Sequence, residues 1–157
     1  MSKKLNWTPR MSTTLSMVVA WIGLILGVAA VPALKPLLGV TTHAGYAASE
    51  DYIATILPLL YACLVVGILA LVILLRLLGD IRKEQVFTTN NVRRLRLISY
   101  CGFSIMAVSI VGAILTVPDT FFVAVALIAG VLSLLMRVVK NVIDTARLLK
   151  EEADYTI

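Results

Sequence analysis

Four long apolar runs dominate this chain and restrict what it can fold into. They cover residues 15–34, 53–75, 97–117 and 121–139, and each is close to the roughly 20 residues that a helix needs to cross a ~30 Å hydrocarbon core. Arg137 is the one charged residue inside them. A soluble protein of 157 residues cannot surround four such helices with other protein. We therefore expect an all-α, polytopic membrane protein built as a bundle of four transmembrane helices.

The boundaries follow from where polar residues and turn formers interrupt the apolar runs. Hydrophobic residues make up 60% of the chain and charged residues 15%, against roughly 45–50% and ~25% in soluble domains. We expect a single domain, 1–157, a polar loop over residues 80–91 and a polar tail over residues 140–157. The helices are predicted at about 13–34, 52–79, 92–117 and 120–150, the last two forming a tight antiparallel hairpin.

The positive charges indicate the orientation of these helices. Every Lys and Arg except Lys35 lies at the same end of the four runs. The positive-inside rule then places both termini and the 80–91 loop in the cytoplasm, which predicts a multi-pass membrane protein. The net charge of +5 is interpreted as an orientation signal with attraction to anionic lipid headgroups. Direct nucleic-acid binding is not expected, because no folded basic domain carries these charges.

The first run has an alternative interpretation as a cleaved secretory signal. Basic residues precede it, and small residues follow it at Gly45, Ala47 and Ala48. The run is longer than the 7–15 residues typical of such signals, so a retained first helix is favoured. Cleavage would leave the orientation of the other three helices unchanged.

Small residues at helical spacing predict close helix packing. Gly23 and Gly27 form a GxxxG pair, and Ala126 repeats the spacing with Gly130. Such pairs let helix backbones approach each other. The pair in the first helix can pack within the bundle or against a second copy in a homo-oligomer; packing within the bundle is favoured, because the bundle already supplies partner helices.

The apolar runs lack the groups that ion transport and catalysis require. Ion and proton carriers hold ionisable side chains inside the membrane, and no Asp or Glu lies within these runs. Cys63 and Cys101 lack CxxC spacing, and the lone His43 does not make a closed metal site. We predict a protein that is not an enzyme, with no catalytic residue, cofactor or metal site.

Two short motifs resemble a known family. They are FTTNNVRRLR at residues 87–96 and LKEEADYTI at residues 149–157, and together with the four-helix layout they resemble bacterial membrane proteins grouped as domain of unknown function 2975. The Gly and Pro that often precede the phenylalanine in that family are replaced by Gln85 and Val86.

The resemblance implies a regulatory or scaffolding role, because members are often encoded beside a small helix-turn-helix transcription regulator. The predicted partner is such a regulator, bound at the cytoplasmic face. The second hypothesis is an accessory subunit or carrier for a hydrophobic or lipid-like substrate, held in a cleft shaped by Pro58 and small residues. The residues predicted to bind the partner are Phe87, Arg93, Arg94, Arg96, Glu151, Glu152 and Asp154.

Overall fold

The computed structural model describes residues 9–43, 50–83, 88–116 and 120–155. These residues form four α-helices and no strand: α1 (Pro9–His43), α2 (Glu50–Arg82), α3 (Thr89–Leu115) and α4 (Thr120–Tyr155). Each helix is long and apolar enough to cross a membrane. The expectation of an all-α fold with four membrane-spanning helices is confirmed.

Several helix ends differ from the predicted boundaries. α1 continues through Lys35 to His43, where a loop was expected, because Leu37, Leu38 and Val40 extend its apolar pattern. α4 likewise runs five residues beyond the expected end, to Tyr155.

The start of α3 also precedes the expected residue 92. The helix begins at Thr89, with Thr88 as its N-cap in an extended conformation. The Thr88 carbonyl accepts the amide protons of Asn91 and Val92, and its side chain makes no cap bond. The backbone of Thr88 therefore defines this helix start, and its hydroxyl does not.

Large apolar side chains cover the outside of the helices. Ile114 is 74% exposed, and residues such as Ile25 and Leu127 are also mostly uncovered by protein. In water such surfaces would drive association, since burying apolar area gains roughly 25 cal/mol per Å². In a bilayer the same side chains contact lipid chains, so the outward apolar surface agrees with four spanning helices.

The helices pack in chain order. Contacts join α1 to α2, α2 to α3 and α3 to α4, the last pair most extensively. Among the described residues, no close backbone approach joins α1 to α3 or α4, or α2 to α4. The pairings Gly23 with Leu71 and Gly27 with Ile68 run in opposite directions along α1 and α2, so these helices are antiparallel.

The α3–α4 interface is closed by small residues on both helices. Ser99 donates a hydrogen bond to the Ser133 carbonyl at 3.0 Å, and a Cβ at Gly102 would overlap the Ser133 hydroxyl. A Cβ at Gly112 would come within 2.8 Å of the fully buried Phe122 ring. Glycine is therefore required for the close approach of the two helices.

Candidate functional site at the basic helix ends

The basic ends of α2, α3 and α4 meet at one side of the molecule, which we call the basic end. The Arg147 guanidinium donates a hydrogen bond of 2.6 Å to the Thr89 hydroxyl. This bond joins the first residue of α3 to a residue of α4 that lies beyond its apolar run. The polar motif that begins α3 is thus held against α4.

Arg94 binds α2. Its guanidinium donates to the Asp80 carboxylate, to the Arg76 carbonyl at 3.2 Å and to the Asn91 side-chain oxygen at 3.4 Å. Asn91 is 1% exposed. A partly buried cation with an anionic partner and further acceptors is a charge-assisted link between helices. Arg94 therefore fixes α3 to the end of α2.

Arg93 and Arg96 differ from Arg94 because successive residues of a helix point about 100° apart. Both side chains are exposed. Neither makes a hydrogen bond or ion pair with another described residue. Of the three predicted docking arginines, these two are accessible to a partner, whereas Arg94 is engaged within the chain.

The acidic residues lie on the straight continuation of α4. Glu151 forms an ion pair of 3.4 Å with Arg147, one helical turn away, and Glu152 is exposed. No ion pair joins Glu151 to Arg93 or Arg96 within the described ranges. Phe87 and the side chain of Asp154, both predicted to bind the partner, lie outside the described residues.

The four residues predicted for helix packing occupy two interfaces. Gly27 faces Ile68, and a Cβ added at Gly27 would lie 3.3 Å from the Ile68 side chain. Gly23 faces Leu71, so this pair packs against α2. Ala126 is buried. A Cβ at Gly130 would approach the Met106 sulfur of α3 to 2.9 Å.

A basic pocket between α3 and α4 was missed by the sequence reasoning. It has a volume of about 180 Å³ and is lined by Arg96, Ser99, Tyr100, Phe103, Arg137 and Lys140. The signal was present in the hairpin, because positions equally far along the chain from residue 118 face each other in an antiparallel pair. That rule pairs Arg96 with Lys140 and Ser99 with Arg137.

The described side chains offer little for metal or nucleophilic chemistry. No group of three His, Cys, Asp or Glu residues in the described ranges is arranged to hold a metal ion. Cys63 and Cys101 are free thiols, half-buried on α2 and α3. What the basic end can do chemically is bind anions and present polar and apolar surface.

Comparison with known proteins places the chain in a family without assigning an activity. No curated protein and no solved structure matches it. The model of the family described as "Protein of unknown function (DUF2975)" matches residues 37–157, which include α2, α3 and α4 and the motifs at residues 87–96 and 149–157. The match covers well over half of the chain, so this protein belongs to the DUF2975 family.

Proposed function

We propose that this chain is a non-enzymatic, multi-pass protein of the bacterial cytoplasmic membrane that holds a soluble regulatory partner at its basic end. The positive-inside rule orients the basic end toward the cytoplasm. The partner is proposed to be a small helix-turn-helix regulator, as the family resemblance suggests. A soluble protein can meet an integral one only at surface that lies outside the membrane, and α4 supplies such surface.

The observation that carries the proposal is the length and surface of α4. Its 36 residues correspond to about 54 Å of helix, which exceeds the ~30 Å hydrocarbon core by several turns. The excess lies at the basic end, because α4 begins directly after the short connection from α3. The last turns of α4 therefore project into water.

These projecting turns carry an apolar stripe. Val138 at the membrane boundary and Val142 and Leu149 beyond it lie on one face of α4, and they are 59%, 62% and 61% exposed. The stripe continues the lipid-facing side of α4 beyond the membrane, on the side away from the Arg147 contact with Thr89. Exposed apolar surface outside the membrane is typical of a protein-binding site.

Acidic residues lie at the tip of α4, at the end of the stripe. Glu152 lies about 60° around the helix from Leu149, whereas Glu151 pairs with Arg147 on the opposite face of the same tip. Docking surfaces commonly combine an apolar patch with nearby charges that select the partner. A partner with an apolar groove bordered by basic residues would fit the tip of α4.

The test removes the apolar stripe without shortening the helix. Val142→Gln combined with Leu149→Gln should lower the recovery of a co-purifying regulator at least roughly tenfold, since each buried Val or Leu contributes about 1.5–3 kcal/mol. Thr145→Ala is the matched control in the same turns of the helix, because the Thr145 hydroxyl bonds only the Asn141 carbonyl of α4 itself. Recovery is measured from native membranes in mild detergent by quantitative mass spectrometry.

Two outcomes would contradict the proposal. Equal recovery of every partner with the double variant and with Thr145→Ala would remove the stripe as a docking site. If no regulator co-purifies with either variant, and the double variant alone fails to associate with a second copy of the chain, the stripe would instead be assigned to self-association.

A second candidate function rests on an apolar groove over α2. The groove has a volume of about 540 Å³ and is bordered by Gly27 and Leu34 of α1, by Ile98 of α3 and by Met136 of α4. Gly67 lies at its floor, where an added Cβ would meet no atom within 4 Å. A space of this size and polarity suits an acyl chain or another apolar substrate, and Gly67→Phe should reduce labelling by a photoreactive fatty acid.

A further inference from the structure

The basic pocket between α3 and α4 combines three cations in a small space. Arg96 and Arg137 make no hydrogen bond or ion pair with another described residue. Among the described residues, the polar partners of Lys140 both lie on its own helix: the Asn141 side-chain oxygen at 3.3 Å and the Asp144 carboxylate at 3.8 Å. No Asp or Glu is among the described residues that line the pocket. An anion placed there would relieve the repulsion between like charges.

The pocket lies at the depth where lipid headgroups meet acyl chains. From Thr120, the start of α4, to Arg137 the helix rises about 26 Å, close to the ~30 Å thickness of the hydrocarbon core. From Leu115, the end of α3, back to Arg96 the rise is about 28 Å. Both guanidiniums therefore reach the membrane boundary at the basic end.

Polar and apolar groups of the pocket are arranged along the membrane normal. Phe103 lies two turns deeper in α3 than Arg96, on the acyl-chain side, and Tyr100 lies between them. The exposed Tyr100 carries a hydroxyl that bonds no other described residue. Cations and a hydroxyl at headgroup level, above an aromatic ring, match a phosphate ester with attached acyl chains.

The walls of the pocket favour a lipid over a soluble anion. All described lining residues come from α3 and α4, so the pocket is bordered on both sides by helices that are long and apolar enough to cross a membrane. Leu134, one helical turn from Arg137 toward the membrane centre, is exposed. The volume of about 180 Å³ accommodates a headgroup phosphate, while the acyl chains extend along the exposed apolar surface of the helices.

We propose that this pocket binds the phosphate group of an anionic phospholipid from the leaflet at the basic end. Arg96, Arg137 and Lys140 contact the phosphate oxygens, and Tyr100 donates its hydroxyl proton. The glycerol and acyl chains descend past Phe103. The lipid then covers the seam where α3 and α4 leave the membrane.

The experiment uses the full-length protein purified in neutral detergent. Phosphatidylglycerol and phosphatidylcholine of the same acyl length are titrated in turn, and the lipid-bound fraction is measured by native mass spectrometry. The expected result is a phosphatidylglycerol affinity at least about tenfold higher than that for phosphatidylcholine. Equal affinity for the two lipids would overturn the proposal.

Variants distinguish this pocket from general attraction to a basic surface. Arg96→Gln with Lys140→Gln should abolish the preference for phosphatidylglycerol. Arg82→Gln with Arg93→Gln removes the same charge from exposed positions outside the pocket. This control variant should retain most of the preference for phosphatidylglycerol. If both double variants lose the preference for phosphatidylglycerol equally, the lipid is attracted by surface charge alone. That result would overturn the proposed binding site.

Two further arms address folding and the source of the phosphate. Tyr100→Phe removes only the exposed hydroxyl, so a folded variant is expected, with phosphatidylglycerol affinity reduced severalfold; an unchanged affinity contradicts the Tyr100 contact. Glycerol 3-phosphate, which lacks acyl chains, should fail to displace the bound lipid at millimolar concentration. Displacement that depends on Arg96 and Lys140 would assign the pocket to a soluble phosphate and overturn the lipid proposal.

Discussion

The arginines that begin α3 have different surroundings although they lie close together along the chain. Arg94 bonds Asp80 and two further acceptors, Arg93 is exposed, and Arg96 borders the basic pocket. The rotation of about 100° per residue explains the difference. Arg94 joins α3 to α2, whereas Arg93 and Arg96 bond no other described residue and keep their charges available to the proposed ligands, a soluble partner and a phospholipid.

At the residue scale, Arg94→Ala should lower the free energy of unfolding by about 1–3 kcal/mol, because it leaves the partly buried Asp80 carboxylate without its partner. Arg93→Ala should change it by less than about 0.5 kcal/mol. Stability is measured by SDS-induced unfolding in mixed micelles.

The double variant Arg94→Ala with Asp80→Ala completes a mutant cycle for this pair. A coupling energy of about 1 kcal/mol or more is expected. A coupling near zero would mean that the pair does not hold α2 and α3 together.

At the scale of elements, α3 and α4 share the most extensive interface among the described helices. Ser133 shows why: its carbonyl accepts the Ser99 hydroxyl proton, and its own hydroxyl donates to the Ala129 carbonyl at 2.6 Å. Gly102 leaves room for that hydroxyl. The hydrogen bond donated by the Ser133 hydroxyl fixes its rotamer, so this side chain cannot move away from an added Cβ at Gly102 without breaking that bond.

Gly102→Ala should therefore destabilise the protein by about 1–3 kcal/mol through overpacking. Gly67→Ala is the matched control, since a Cβ at Gly67 meets no atom within 4 Å, and it should leave stability unchanged or slightly higher. SDS-induced unfolding of both variants checks this. Equal destabilisation would attribute the effect to the loss of glycine itself rather than to contact with Ser133.

The sequence predicted the elements better than the contacts between them. Long apolar runs alone give four helices, because a helix is the structure that satisfies its own backbone hydrogen bonds across lipid. The bond between Arg147 and Thr89 depends on how far α4 continues and how it is rotated about its axis, and neither is encoded in a single residue. Predicting the pocket around Arg137 requires knowing which residues of α3 and α4 face each other. The position of Pro118 between the two apolar runs could have supplied that register.

At the scale of the whole molecule, the charge asymmetry predicts the orientation. A cysteine introduced at the exposed Thr145 should resist a membrane-impermeant thiol reagent in intact cells, while one at Ala44, which directly follows α1 in the chain, should react. A background without Cys63 and Cys101 keeps the signal specific. Labelling at Thr145 with protection at Ala44 would show the opposite orientation. It would also contradict the proposed docking surface in the cytoplasm.

Both terminal helices, α1 and α4, contact a single neighbour among the described elements, and the interface of α1 is the less extensive of the two. α1 contacts only α2, and the family match begins at residue 37, close to its end at His43. Tyr61 donates a hydrogen bond of 3.1 Å to the Val31 carbonyl across that single interface. A mechanical force applied at the N-terminus should therefore extract α1 in a separate step before the other three helices, which is the order of events that single-molecule force spectroscopy would record.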